Sequence, residues 1–372
     1  DAYNIAIGHN AGTAVTTGPH NTLIGGLAGN DITTGSENTA VGKSALEANT
    51  TAASNTAVGF KSLFANTTGA SNTSLGESAL RANTTASNNT AVGKSALLVN
   101  TTGSENVAVG TSALAANTTA DSNTAVGFKS LLVNTTGTAN TGLGESTLRA
   151  NTTADNNTAV GFSALTANTT GSENTAVGHL AGTALSTGVD NVLIGGRAGD
   201  ALTDADYNVA IGKGSLTGDT KGSKSVAVGY QTLVNQNFTS STDTYNTAVG
   251  FESGNDITTG VNNTLIGGLA GDAITTANSV VAVGLGAAGA ITTGSNNVAI
   301  GQNALATNTT NTSNVAVGHE SLLTSTAANN TGVGFQSLRA NTTASNNVAV
   351  GKSALATTTT GSANTAVGKD AL

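Results

Sequence analysis

Few side chains in this sequence could do acid–base or metal chemistry, and histidine is the scarcest of them. The chain has four histidines and no cysteine, which excludes thiolate metal sites and cysteine nucleophiles. His9, His179 and His319 each follow the last glycine of a repeated motif, a position that Lys43 and Phe60 occupy elsewhere. So variable a position indicates an exposed residue rather than a metal ligand.

Carboxylates are the second candidates for chemistry. The densest acidic stretch contains Asp190, Asp200, Asp204, Asp206 and Asp219. Paired carboxylates can hydrolyse glycosidic bonds or bind Ca²⁺. The stretch lacks the Gly-Gly-x-Gly-x-Asp pattern of calcium-binding β-rolls, so solvated acids are favoured. We predict no metal site, no cofactor and no catalytic residue.

A phosphate-binding loop is a third possibility, and the sequence argues against it. Gly42-Lys43-Ser44 matches the end of that motif, but Glu37 stands where its first glycine is required. No helix is expected to follow, as the motif also demands. The glycines are better explained as turns and close packing, and the chain is not expected to be an enzyme.

Threonine pairs such as Thr50-Thr51 and Thr67-Thr68 recur along the chain. A threonine ladder on a regular scaffold is one way to build an ice-binding surface, which keeps ice binding as an alternative function. Adjacent residues of an extended segment point to opposite sides, so at most one row could face outwards. The neighbouring Asn-Thr-Thr sequons (Asn49, Asn66, Asn83) are read as a structural ladder, because one sugar per repeat would crowd its neighbours.

All these residues belong to one internal repeat, Asn-x-Ala-Val-Gly, which occurs 22 times, almost always 17 residues apart. We number each coil from the motif glycine as position 0. Position −1 is Val, Ile or Leu in all 22 copies, and position −3 is Thr, Val or Ile. Alternating β-branched residues closed by glycine predict a β-strand and a turn.

A strand every 17 residues in one register predicts a solenoid of stacked parallel coils. Coils about 4.7–4.9 Å apart would place the asparagines at −4 in an amide ladder. The predicted ladder and turn residues are Asn38, Asn55, Asn72, Asn89, Gly42, Gly59, Gly76 and Gly93. The fold class predicted is therefore all-β, a parallel β-solenoid of about 22 coils.

Two further positions indicate a packed interior. Fifteen coils have Leu at +4, as Leu46 does, whereas the other seven have Gly or Ala there and an aliphatic residue at +7, as Gly29 and Ile32 do. Close packing explains why one large side chain moves along the coil. Position −2 is nearly always small, and we expect this face of the strand to be covered by another chain in a parallel homo-oligomer.

One insertion interrupts the repeat and is the best candidate for ligand contact. We divide the chain into coils at 1–233, an insertion loop at 234–245 and further coils at 246–372, one continuous repeat domain. Candidate contact residues are Phe238 and Tyr245 in the insertion and Tyr230 and Phe251 at +1. Loops and exposed rings on a rigid scaffold often carry recognition, although a tolerated insertion is the alternative.

The composition of the chain argues against two other classes of protein, nucleic-acid-binding proteins and integral membrane proteins. Only 9% of residues are charged, 3% are aromatic, and the formal charge is −8, so nucleic-acid binding is not expected. The sequence has no run of 18 apolar residues, and no membrane insertion of this segment is predicted. Both ends fall inside a repeat, which we read as a segment of a longer chain.

Asn208-Val-Ala-Ile-Gly212 and Asn297-Val-Ala-Ile-Gly301 resemble the head repeats of YadA-type trimeric autotransporter adhesins. Longer arrays such as residues 55–69 resemble repeats of phage tail-fibre-like and bacterial fibre proteins. This resemblance implies a left-handed β-roll, a parallel homotrimer, an extracellular location on a virion or a bacterial cell, and attachment to a surface glycan or receptor. We therefore expect a structural fibre or adhesin segment, with ice binding and glycan cleavage as alternatives.

Overall fold

The computed structural model describes residues 3–372. They form two compact units: unit 1 ends at Thr187 and unit 2 begins at Gly188. In each unit the repeated motif forms a three-residue strand that pairs in parallel with the strand of the next coil. The predicted all-β parallel β-solenoid with a 17-residue period is confirmed. No described residue belongs to an apolar helix long enough to cross a bilayer.

The described part of unit 1, residues 3–187, contains eleven strands. They are β1 Ile5–Ile7, β2 Thr22–Ile24, β3 Thr39–Val41, β4 Thr56–Val58, β5 Thr73–Leu75, β6 Thr90–Val92, β7 Val107–Val109, β8 Thr124–Val126, β9 Thr141–Leu143, β10 Thr158–Val160 and β11 Thr175–Val177.

Unit 2 contains eleven strands of the same type and two short additional ones, β14 and β16. They are β12 Val192–Ile194, β13 Val209–Ile211, β14 Gly222–Ser223, β15 Val226–Val228, β16 Thr242–Asp243, β17 Thr247–Val249, β18 Thr264–Ile266, β19 Val281–Val283, β20 Val298–Ile300, β21 Val315–Val317, β22 Thr331–Val333, β23 Val348–Val350 and β24 Thr365–Val367.

The coils are held together by main-chain hydrogen bonds well beyond the strands. The amide of Ser44 donates to the carbonyl of Gly26 in the preceding coil at 2.9 Å, and that of Leu46 donates to Ser62 in the following coil at 3.0 Å. The amide of Ala48 donates to the carbonyl of Phe64 at 3.1 Å. A coil with so little regular structure thus satisfies its backbone through its neighbours.

The glycine at position 0 allows this close stacking. Its φ is +135° at Gly59, a conformation that other residues rarely adopt, and a Cβ there would lie 2.5 Å from the carbonyl oxygen of Gly76. Positions +2, +4 and −5 also take positive φ, as Lys61, Leu63 and Ser54 show. No Val, Ile or Thr occurs at such a position in residues 3–372, because β-branched residues resist that conformation.

The interior of each coil is narrow and partly polar. Ala57 at −2 and Leu63 at +4 are fully buried, and so are Asn55 at −4 and Asn66 at +7. The expectation that position −2 faces another chain is therefore wrong: it faces the inside of the coil, and positions −3 and −1 face outwards. Coils with Leu at +4 have only Ala, Ser or Gly at −2, because the leucine already fills the neighbouring space.

Coils with Leu at −2 show the same limit on volume. A Cβ on Gly29 would lie 2.7 Å from Leu23 Cδ2 and 2.8 Å from Ile32 Cδ1. Leu193 and Leu202 would meet a Cβ on Gly199 at 2.8 and 2.9 Å. The predicted exchange of volume between +4 and +7 is confirmed, and it extends to −2.

Two asparagine ladders line the interior. At −4, the main-chain N–H of Asn55 donates to Asn38 Oδ1 at 3.0 Å, and the main-chain N–H of Asn72 donates to Asn55 Oδ1 at 3.0 Å. These bonds confirm the predicted ladder. Seven side-chain bonds of 2.7–3.1 Å join the asparagines at +7 from Asn49 to Asn168. The two ladders meet where the Ala52 carbonyl accepts from both Asn38 and Asn49.

Burial of Asn49, Asn66 and Asn83 supports the structural reading of the sequons, because a folded coil does not expose these amides to solvent. The second ladder ends at Asn168, whose Oδ1 has no hydrogen-bond partner among residues 3–372. The equivalent residue of the next coil is Leu185, which has no donor to offer.

Replacing Gly59 by alanine is expected to lower the free energy of unfolding by at least about 2 kcal/mol, because the new Cβ meets the next coil and the φ is unfavourable. Gly26→Ala is the matched control, since φ is not positive there and the nearest atom lies 3.9 Å away. Urea unfolding followed by circular dichroism measures both. Equal midpoints for the two variants would contradict the role given to position 0.

Exchange of the large side chain between +4 and +7 is tested at Leu46 and Asn49. Leu46→Ala alone leaves a cavity costing about 2–4 kcal/mol, and Asn49→Ile alone overpacks the interior by about 1–3 kcal/mol. The double variant recreates the arrangement of Ala288 and Ile291 in unit 2, whose position −2 is also alanine. We expect it to be more stable than the sum of the single changes by at least about 1 kcal/mol, measured by urea unfolding. If the two single changes in the free energy of unfolding simply add in the double variant, positions +4 and +7 do not exchange volume.

Candidate interaction surfaces

The outward face of the sheet is the largest regular surface of each unit. Position −1 supplies exposed aliphatic side chains, among them Leu75 (46% exposed) and Leu143 (47%) in unit 1 and Ile266 (42%) in unit 2. Position −3 supplies the second row. In unit 1 this row is Thr in nine of eleven strands, whereas in unit 2 Val predominates.

Exposed rings form a second surface at position +1. Tyr230 and Phe251 occupy this position in successive coils and stack with centroids 5.4 Å apart and planes 10° from parallel. His319 and Phe335 stack in the same way at 5.4 Å. Stacking follows from the repeat, because equivalent residues of neighbouring coils lie one strand spacing apart. The expectation that +1 is an exposed position is confirmed for the rings of Tyr230, Phe251 and Phe335.

The insertion is held down by a buried carboxylate. Asp219 is fully buried and accepts from Gln236 Nε2 at 2.6 Å and from the amides of Gly222 and Phe238 at 3.0 Å. Gln236 also donates to Ser225 Oγ at 2.8 Å. Asp219 and Gln236 replace the asparagine at +7, so the insertion is anchored inside the coils.

Sequence reasoning missed this network, although it left a signal. Asp219, Ser225 and Gln236 each depart from the asparagine expected at their coil position, and all three lie close to the insertion. Departures clustered beside an insertion indicate that the interior has been rebuilt to hold it.

The insertion is more regular than a loop. Gly222 and Ser223 pair in parallel with Thr242 and Asp243. Phe238 is only 8% exposed, so its ring is not open to a ligand from solvent, whereas Tyr245 is 54% exposed. Of the four ring residues singled out from the sequence, Tyr230, Phe251 and Tyr245 are accessible, and Tyr245 lies on a different part of the coil.

An ion pair links the outer edge of the insertion to the preceding coil. Lys224 Nζ donates to Asp243 Oδ2 at 2.6 Å, and the Tyr245 hydroxyl donates to the same oxygen at 3.3 Å. The hydrogen bond from Lys224 lowers the pKa of Asp243 below its ordinary value. The bonds to Asp243 and Tyr245 raise the pKa of Lys224 above its ordinary value.

The threonine pairs present one outward row, as expected. At +8 the hydroxyl of Thr50 donates to the Thr67 carbonyl at 3.2 Å, and that of Thr67 to the Thr84 carbonyl at 3.0 Å. At +9 Thr51 and Thr68 are exposed. The row at +8 thus serves coil stacking, and a two-row ice-binding array is not formed at +8 and +9.

Several aspartates bind backbone amides or cations of neighbouring coils. Asp206 accepts from the Val189 amide at 2.9 Å, and Asp155 from the Thr138 amide at 2.6 Å. Asp204 pairs with Lys221 at 3.5 Å. Within residues 3–372 no three His, Asp or Glu side chains are grouped so that they could hold a metal ion.

Comparison with known proteins finds no family that matches this chain and no curated protein that matches it significantly.

Replacing Lys224 by glutamine is expected to raise the titration midpoint of Asp243 towards the ordinary carboxyl value, since the main stabilising donor is lost. The stabilisation linked to Asp243 is present above the unfolded-state pKa and disappears as pH falls through the lowered folded-state pKa. Carbon-13 NMR of labelled aspartates measures the midpoint. Lys221→Gln is the control, and an unchanged Asp243 midpoint in Lys224→Gln would refute the assignment.

Proposed function

We propose that this chain is a non-enzymatic fibre or adhesin segment that extends from a virion or bacterial cell and displays attachment surfaces outside the cell. The observation that carries the proposal is the outward sheet face, with two β-branched or aliphatic rows repeated in one register throughout each unit. A role in extension agrees with eleven stacked coils per unit, about 50 Å at a strand spacing of about 4.8 Å.

Self-association is the second part of the proposal. Each unit presents about 500 Å² of outward sheet, taking strands about 10 Å long over that stack. The face of one unit thus supplies more than half of the roughly 800 Å² that each partner contributes to a standard interface. Exposed Leu75, Leu143 and Ile266 are costly to leave in water over so long a surface.

A second copy of this chain is the occupant that fits the face. Its rows have the same pitch, because both are set by the spacing of stacked coils, so the side chains can interdigitate without losing register. A partner lacking that period would match only a few coils. The resemblance to trimeric adhesin heads favours a parallel homotrimer.

Light scattering after size-exclusion chromatography tests self-association. The wild-type chain is expected at about three times its 35.9 kDa, and Leu75→Lys/Leu143→Lys/Ile266→Lys is expected at 35.9 kDa. Three lysines in the apolar face would be buried without partners on assembly. The control Thr68→Lys/Thr136→Lys/Thr259→Lys adds the same charge at exposed position +9 and should keep the wild-type mass. A stable wild-type monomer would reject the oligomer.

Ice binding is a second candidate because the outward face of unit 1 alternates Thr at −3 with Val, Ile or Leu at −1. This array has the two rows that positions +8 and +9 lack. Assembly and ice binding would use the same face. A trimeric mass in light scattering would therefore argue against ice binding, because the face would be buried between chains. Thermal hysteresis at micromolar protein would support ice binding, and its absence would reject it.

A further inference from the structure

Unit 2 carries a notch of about 240 Å³ across the coils that begin at Gly195, Gly212 and Gly229. Gly196 and Gly214 form part of its lining, together with Arg197, Lys213 and Tyr230. Depressions of about 350–360 Å³ also lie between regular coils of unit 1, but each of those is lined mostly by apolar side chains with a single arginine, Arg149 or Arg81.

Two glycines leave this notch open. Gly196 occupies +1, where most coils have a larger side chain, and a Cβ built there would have no heavy atom within 4 Å. A Cβ on Gly214 would meet only Gln231 Cγ, at 3.6 Å. Space in the notch is thus open to a ligand rather than filled by the protein.

The notch is positively charged in a chain of formal charge −8. Arg197 and Lys213 are exposed, and neither forms an ion pair with a carboxylate in residues 3–372. Asp200 is the acid of the same coil, and its carboxylate accepts a hydrogen bond from the Thr217 hydroxyl. Two unpaired cations, one of them a planar guanidinium, suit a carboxylate or sulfate group.

An aromatic ring and an amide complete the site. Tyr230 is held by its stack on Phe251 and is 41% exposed, so it presents a rigid apolar surface with a hydroxyl. Gln231 adds an amide that can both donate and accept. The notch is smaller than the roughly 300–1,000 Å³ of a typical ligand pocket, and one sugar ring of a polymer is a ligand of that scale.

We propose that this notch binds an anionic sugar residue of a surface polysaccharide. Its carboxylate or sulfate contacts Arg197 and Lys213, and its ring lies against Tyr230. This assignment rests on the proposed attachment function and names the chemistry of one ligand.

Calorimetric titration of the full chain tests the site with three defined tetrasaccharides. A hyaluronan tetrasaccharide carries glucuronate carboxylates, a carrageenan tetrasaccharide carries sulfates without carboxylates, and chitotetraose is neutral. We expect at least one anionic tetrasaccharide to bind at least tenfold more tightly than chitotetraose. The stronger of the two identifies the anion.

Gly196→Leu is the decisive variant, because its side chain fills the notch without requiring a strained backbone. It should weaken binding at least tenfold, and Arg197→Gln should do the same by removing the guanidinium. Gly26→Leu changes the equivalent position of another coil, where a Cβ would meet only the His9 carbonyl oxygen at 3.9 Å, and should bind like wild type. Matching thermal midpoints confirm that all variants are folded.

Failure of both anionic tetrasaccharides to bind would overturn the notch assignment, as would unchanged binding in Gly196→Leu. Light scattering on the same samples separates the two proposals. An oligomer whose glycan binding survives Gly196→Leu keeps the attachment function and loses this site. A monomer whose glycan binding is lost in Gly196→Leu keeps the notch site and rejects self-association.

Discussion

At position 0 of the stacked coils in each unit the main chain lies so close to the next coil that there is no room for a Cβ, except at the last motif glycine, Gly368. For Gly59 that atom would stand 2.5 Å from a carbonyl oxygen, and φ is +135°. The rest of the coil depends on this approach, because it brings backbone donors and acceptors of successive coils into reach along the whole turn. Glycine at this position is a packing requirement as well as a conformational one.

Close stacking leaves an interior too narrow for a conventional core, which accounts for the scarcity of aromatic residues. The space is filled by alanine, one Leu or Ile, and asparagines whose amides bond one another and the main chain. Buried amides are tolerated because the repeat supplies a partner one coil away, as in the ladder from Asn49 to Asn168. Where the repeat changes, the ladder must end or be rebuilt, as it is by Asp219 and Gln236.

The surfaces available for binding are formed by residues that point away from the packed interior of the coils. Positions −3 and −1 face outwards and make a periodic surface on which another copy of the chain is proposed to bind. Position +1 carries exposed rings, and the glycines at 196 and 214 open the notch in which an anionic sugar is proposed to bind. The insertion is anchored from within, and its buried Phe238 serves packing whereas Tyr245 stays accessible.

The sequence by itself determined the period, the strand at −3 to −1, the asparagine ladder at −4 and the exchange of volume between +4 and +7. These features follow from local conformational preference and from a register that is kept over many coils. Tertiary structure alone decided which strand face is the interior, because both faces are apolar and alternation cannot tell inside from outside. It also decided that Gln236 joins Asp219 and that Gly196 opens a notch, since both depend on contacts between residues of different coils.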